Sequence, residues 1–260
     1  FAIGAGFSET LLYAFTSDHE LSQFFITHTT APELKNPLNP ETKYLVPRVL
    51  VKYVVSAVEN LRNFDTVKLF GTDKSFVRTT KGVDEHKDLV FVYATRGTSG
   101  EHEFYEMKGV LDQMFETLGI SDQWYDDALT IEEHAHAAKL FHPYRVAQIK
   151  IGDETIGMMG EIHPAILDCL KSRGRIVAAE INFDLLRKHA QDEVEFRPIS
   201  KYPAVIRDIA VVVPENTKTE AIQNIIERTA GELLIDTDLF DYFQDEEMRG
   251  ADVKNLAFHL

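Results

Sequence analysis

The side chains best suited to chemistry gather in the middle of the chain. His134, His136 and His142 follow a His-x-His-x5-His spacing, and imidazole is a common zinc ligand. No cysteine accompanies them and the spacing matches no common zinc pattern, so they read as a solvated helix face, with His142-Pro143 opening a turn. Asp122, Asp126, Asp127, Glu132 and Glu133 lack the glycine and the spacing of a calcium loop and read as solvated surface. The sequence holds no P-loop, no GxSxG elbow and no HExxH pair, which sets aside three common kinds of catalytic site. The single cysteine, Cys169, sits in the apolar run 166–170. It is expected to be a buried small hydrophobe rather than a nucleophile. One thiol cannot form an internal disulfide and suits a reducing cytoplasm. No catalytic, cofactor-binding or metal residue is predicted.

The elements that would carry such groups have a substantial core to build on: 260 residues, 44% of them hydrophobic. The net charge of −15 excludes nucleic-acid binding by bulk electrostatics, because phosphates are met by Lys and Arg. No apolar run approaches the roughly 20 residues of a membrane span, and no secretory leader is visible. The chain opens on Phe1 and closes on the strand-like run 255–260, so it reads as a piece of a longer polypeptide.

Periodicity supplies the order of elements. Ser17 can cap a short helix through Phe25, and 25–30 has strand composition. Asn36-Pro37-Leu38-Asn39-Pro40 is a stiff turn. From Leu45 to Leu61 the apolar residues cover more than one helical face, so this helix is expected to be buried on two sides, one of them offered to a neighbour. Segments 67–72 and 73–78 suggest strand, turn and strand, and 88–95 a buried strand. A loop follows at 97–100, then an amphipathic helix over 104–118 that Gly119 ends. Strands 146–151 and 155–162 form a hairpin, Pro164 opens a helix, and 176–183 is a strand followed by a short helix. This pattern is α+β with an antiparallel sheet. The connector 191–198 marks a domain boundary. Beyond it come a strand at 208–213, a helix over 217–229 with a Thr217–Glu220 capping box, and strands at 233–242 and 255–260. That β-α-β-β order is the first part of a ferredoxin-like unit.

Several motifs, in order, carry a resemblance. They are Phe7-Ser8-Glu9-Thr10-Leu11-Leu12-Tyr13-Ala14-Phe15, the Asn36–Pro40 turn, Phe104-Tyr105-Glu106-Met107-Lys108-Gly109-Val110, Phe141-His142-Pro143-Tyr144-Arg145-Val146-Ala147 and Gly157-Met158-Met159-Gly160-Glu161-Ile162-His163-Pro164. Together they resemble the core of the β-subunit family of bacterial phenylalanyl-tRNA synthetases. Lys201-Tyr202-Pro203-Ala204-Val205-Ile206-Arg207-Asp208-Ile209-Ala210, Leu239-Phe240-Asp241-Tyr242-Phe243 and Asn255-Leu256-Ala257-Phe258 resemble the ferredoxin-fold anticodon-binding domain. The resemblance implies a class II synthetase-like core at 1–195 and a truncated anticodon-binding domain at 199–260.

It also implies a role. A working class II site needs two arginines to hold the nucleotide phosphates, as bidentate guanidinium suits phosphate. Gly157-Met158-Met159-Gly160 only partly echoes the second such motif. Arg145 and Arg173 fit neither spacing, and Lys68, Lys74 and Arg78 lack an Arg-x-Glu pairing. The core is therefore expected to be catalytically silent. The resemblance implies an α-subunit partner, a tRNA partner and an (αβ)2 heterotetramer in the cytoplasm, with no membrane contact; ATP and Mg2+ would serve the whole enzyme and not this chain. Interface candidates are Asn36, Pro37, Asn39, Pro40, Val49 and Tyr53. RNA candidates are Lys201, Tyr202, Arg207 and Tyr242, while Phe240 and Phe243 read as core. Residues 199–260 hold six Lys and Arg against twelve acids, so alone they are expected to bind tRNA undetectably near physiological salt. A self-sufficient class II ligase and a free-standing RNA-binding scaffold stay open as alternatives.

Overall fold

The computed structural model describes residues 1–97, 101–126, 139–191 and 203–260. The chain divides into two units, Phe1–Glu195 and Phe196–Leu260. The first opens with β1 (Ser8–Glu9), β2 (Phe15–Thr16), α1 (Asp18–Gln23) and β3 (Tyr44–Leu45). It continues through α2 (Leu50–Asn60), β4 (Thr66–Thr79), β5 (Gly82–Arg96), α3 (Glu101–Thr117) and β6 (Gln123–Asp126). Then come β7 (Phe141–Ile151), β8 (Glu154–Ile162), α4 (Pro164–Cys169), β9 (Gly174–Asn182) and α5 (Phe183–His189).

Strand β5 shows why the unit is layered. Val90, Val92 and Ala94 are buried to one side, and Leu89, Phe91 and Tyr93 to the other. Successive side chains alternate across a sheet, so both faces must be covered. α2 covers the first with Val54, Ala57 and Val58; α3 covers the second with Met107, Leu111 and Phe115. The seven-stranded sheet runs β1-β4-β5-β9-β8-β7-β6 and is antiparallel except for β1 against β4. β2 and β3 form a separate pair.

Many expected elements are present, including the Ser17 cap, whose Oγ accepts from the Glu20 N–H at 3.1 Å. The hairpin β7–β8 turns at Gly152, whose φ is +54°. Four expectations are corrected. Residues 25–30 do not extend: Ile26 N–H bonds back to the Leu21 carbonyl at 3.0 Å, Phe25 takes φ +55°, and His28–Thr30 is a 3-10 turn. The helix expected from Leu45 begins at Leu50, because β3 and Pro47 intervene. The proline turn therefore does not feed α2 directly. Residues 67–78 form one strand without a turn: Gly71 lies against the Tyr53 hydroxyl, where a Cβ would stand only 2.0 Å away. Cys169 is exposed at the end of α4, whose buried residues are Ile166 and Leu167. Of the expected loop 97–100 only Gly97 is described.

The second unit comprises β10 (Asp208–Pro214), α6 (Thr219–Ala230), β11 (Asp238–Phe243), α7 (Glu246–Gly250) and β12 (Val253–His259). Its sheet order is β10-β12-β11, all antiparallel. Ile209, Val211, Leu256 and Phe258 face α6 and pack with Ile222 and Ile226. β10 pairs with β12 in unbroken register over seven residues, whereas β11 is bulged between Leu239 and Asp241. The β-α-β-β order holds with α7 added. The Thr217 cap does not form: the Thr217 N–H is taken by the Pro214 carbonyl at 2.9 Å, and the helix starts at Thr219 without a side-chain cap. The strand expected from 233 starts at Asp238, after the 3-10 turn Gly231–Leu233.

Candidate functional site

At the start of α2 the residue before the helix, Val49, supplies no side-chain cap, leaving amide donors to be satisfied from elsewhere. The sheet provides acceptors. Leu50 N–H donates to Glu180 Oε1 at 3.2 Å, and Val49 N–H to Ser75 Oγ at 3.0 Å. Ser75 Oγ donates to Asp88 Oδ2 at 2.5 Å, and His86 Nε2 lies 3.3 Å from the same oxygen. Arg48 donates through Nε to Glu180 Oε2. Burial pushes the Glu180 carboxyl above the usual carboxylate range; Arg48 opposes this and Asp88 adds to it. Hydrogen bonding to Asp88 raises His86.

A second arginine centre lies on the same sheet. Arg145 donates through Nε to Glu161, and Arg175 Nη1 reaches that carboxylate at 3.4 Å. Glu161 is buried, so its charge must be matched internally. Gly157 and Gly160 are also packing residues. An added Cβ would meet the Glu180 carbonyl at 2.4 Å or the Arg145 carbonyl at 2.8 Å. Their spacing echoes a phosphate-binding strand, but they stand where neighbouring strands come close. Lys68 is paired with Glu106 and Lys74 with Glu85. Of the cations weighed for a phosphate site, Arg145, Lys68 and Lys74 are thus engaged by carboxylates, and Arg173 is exposed.

His142 Nδ1 accepts from the Tyr144 N–H at 3.1 Å and holds a turn. Burial lowers its pKa, and Arg145 adds to the effect. His134, His136, Asp127, Glu132, Glu133, Lys201 and Tyr202 lie outside the described residues. Among the described residues no group of three donors could hold a metal, and no helix is long and apolar enough to cross a membrane.

The interface candidates separate into two sets. Asn36, Asn39 and Pro40 are exposed and Pro37 is half-buried; Asn39 Oδ1 accepts from the Glu41 N–H at 2.9 Å and caps the short turn Pro40–Thr42. Leu38 between them is wholly exposed, with Leu11 and Tyr13 over 80% exposed. Val49 and Tyr53 are buried in the unit's own core. The Tyr53 hydroxyl donates to Asp73 Oδ2 at 2.6 Å and lies 2.8 Å from the Thr10 carbonyl oxygen. Their place as interface residues is corrected: both apolar sides of α2 are satisfied within the chain.

In the second unit, register divides the aromatics between two faces. Opposed residues share a face, so Val211, Leu256 and Tyr242 lie toward α6, while Val212, Asn255 and Phe243 lie on the other face. On that open face Phe240 stacks on His259, with centroids 3.8 Å apart and planes 8° apart. His259 Nδ1 is 2.7 Å from Asp208 Oδ1. Phe240 and Phe243 are about half exposed, 46% and 52%, which corrects their reading as core. The bulge at Phe240 brings it to the same open face as Phe243, which two residues three apart in a regular strand would not share. Tyr242 is 53% exposed on the helix side and its hydroxyl lies 3.3 Å from Gln244 Oε1. Arg207 is exposed and donates to the Ile206 carbonyl. Its neighbour Asp208 is engaged by His259 rather than by Arg207.

The similarities to known proteins fall along the same division. Residues 200–260 match the family described as ferredoxin-fold anticodon binding domain. The chain is 30% identical over 276 residues to the phenylalanine–tRNA ligase beta subunit of Moorella thermoacetica, covering all of this chain and 33% of that protein. It is 28% identical over 253 residues to the Clostridium tetani beta subunit, covering 95% of this chain and 31% of that one. The chain thus spans about a third of the length of the curated relatives it matches. Among solved structures, the pyrrolysyl tRNA synthetase PylSc of Desulfitobacterium hafniense aligns with a TM-score of 0.54 at 11% identity, over 74% of this chain and 69% of that one. That similarity concerns the fold, and it places the seven-stranded sheet and its helices in the class II synthetase architecture. Residues 1–183 match the family described as phenylalanyl tRNA synthetase beta chain CLM domain, and with that match over most of its length the chain belongs to this family.

Proposed function

We propose that the chain is part of the non-catalytic β subunit of a phenylalanine–tRNA ligase. Residues 1–195 would be the class II-like scaffold that holds the α subunit, and 199–260 the anticodon-binding domain, truncated at its C-terminal side. The carrying observation is the fate of the guanidinium groups: Arg48 is engaged by Glu180, and Arg145 and Arg175 by Glu161. Carboxylates inside the fold thus hold these three guanidinium groups away from a nucleotide. ATP and Mg2+ would be used by the whole enzyme, an (αβ)2 heterotetramer in the cytoplasm, with the chemistry on the α subunit.

Two surfaces serve this role. The turn with Asn36, Pro37, Asn39 and Pro40 presents Leu38 bare, and exposed Leu11 and Tyr13 offer further apolar contact to the α subunit. For tRNA, the open face with Phe240, Phe243 and His259 offers stacking. Arg207 would add a phosphate contact, joined by Lys201, Tyr202 and, from the edge strand, Tyr242. The deciding experiment is ATP–pyrophosphate exchange with phenylalanine. The chain alone is expected to stay at background, and exchange to appear only when the α subunit is present. Exchange by the chain alone would sink the proposal.

A further inference from the structure

Beside the C-terminal end of α2 is a cavity of about 460 Å³, within the range of about 300–1,000 Å³ common for small-molecule sites. Four cations line it, Arg62, Arg96, Lys171 and Arg173, and among the described residues no carboxylate does. This is unusual for a chain with 27 Lys and Arg against 42 acids. Arg96 is already engaged: it donates to the Leu61 carbonyl, capping α2, and its Nη1 is 3.3 Å from Asp65 Oδ1. Arg62, Lys171 and Arg173 are exposed and form no ion pair among the described residues. Val58, Leu61 and Leu170 give the cavity an apolar wall.

The backbone supplies a second observation. Lys171 follows α4 at φ +55°, and the Ser172 N–H bonds back to the Leu167 carbonyl at 2.9 Å. This is the left-handed helix-ending position at which glycine is preferred. A lysine there keeps its charge at the mouth of the cavity at the cost of backbone strain.

We propose that this cavity binds a nucleoside monophosphate unit, its ring against Val58, Leu61 and Leu170 and its phosphate among Arg62, Lys171 and Arg173. The unit is either a free nucleotide or part of an RNA strand. The site lies in the first unit and does not depend on the anticodon-domain reading.

The test is calorimetric titration of the full chain with adenosine, adenosine monophosphate and a single-stranded RNA of about twelve nucleotides. The phosphate-bearing probes are expected to bind and adenosine not to. Arg62→Ala with Arg173→Ala should weaken binding at least about tenfold, as charge-assisted phosphate contacts are lost. Lys171→Gly should weaken it too while leaving the melting temperature unchanged or raised. That second variant separates loss of charge from loss of fold. Binding of the mononucleotide identifies a free nucleotide as the ligand, and binding of the RNA alone identifies a strand. Equal binding of adenosine and its monophosphate, unchanged affinity in both variants, or no binding of either phosphate-bearing probe overturns the proposal.

Discussion

Arg48 and Glu180 stand 132 positions apart in sequence, and nothing local in either segment announces their meeting. Glu180 interrupts a run of small and branched apolar residues in β9 and is buried. Its higher-than-usual carboxyl pKa, driven by burial and opposed by Arg48, fixes a sign. A carboxyl whose pKa is raised on folding binds its proton more tightly in the folded state. The stability it contributes is therefore lost as pH rises through that raised value. Arg48→Ala removes the opposing cation and should cost about 3 kcal/mol near neutral pH, the usual scale for orphaning a buried charge. The loss should shrink at about pH 5, where Glu180 takes up a proton more readily. Urea denaturation of both proteins at the two pH values checks this; a loss that is the same or larger in acid would refute it. Cys169 shows the opposite limit of residue-level reading. Its apolar neighbours made it look buried, yet a helix turns only part of such a run inward.

The amphipathic helix α3, the hairpin β7–β8 and the short helix after His163-Pro164 were readable because their signals are local: a stripe, a glycine turn, a proline at the first helical position. The long strand β4 was not. Gly71-Thr72-Asp73 has turn composition, and only tertiary packing, by the Tyr53 hydroxyl and the Thr10 carbonyl, explains a glycine in the middle of a strand. Adding a methyl group there meets Tyr53 Oη at 2.0 Å and the Thr10 carbonyl at 2.6 Å. Gly71→Ala should destabilise by about 1–3 kcal/mol, as overpacking does. A chemical denaturation midpoint that does not move would show that β4 and α2 can part at little cost. The same contact explains why α2 has no spare face: Tyr53, which looked available to a partner, is tied to β1–β4 connections through Thr10 and Asp73.

For the chain as a whole, order and spacing of motifs carried the family resemblance, and the matched families cover residues 1–183 and 200–260. The surfaces were less legible. Which aromatics of the second unit face outward depended on a single bulge at Phe240, and the basic cavity draws Arg62 and Arg96 together with the 170–174 turn from far apart in sequence.

The regular pairing of β10 has a practical effect on how this protein behaves when concentrated. Among the described residues β10 hydrogen-bonds to β12 alone, so its outer row of amides and carbonyls can take a further strand, from the same polypeptide or from another copy. β11 is guarded by its kink and by Asp238 and Asp241. β10 is straight and rich in valine, and Val212 is 65% exposed beside exposed Val205 and Ile206. Sedimentation velocity over a dilution series should therefore reveal reversible self-association, and Val212→Lys should suppress it. A single monomeric boundary at every dilution of the parent protein would mean that this border is already shielded.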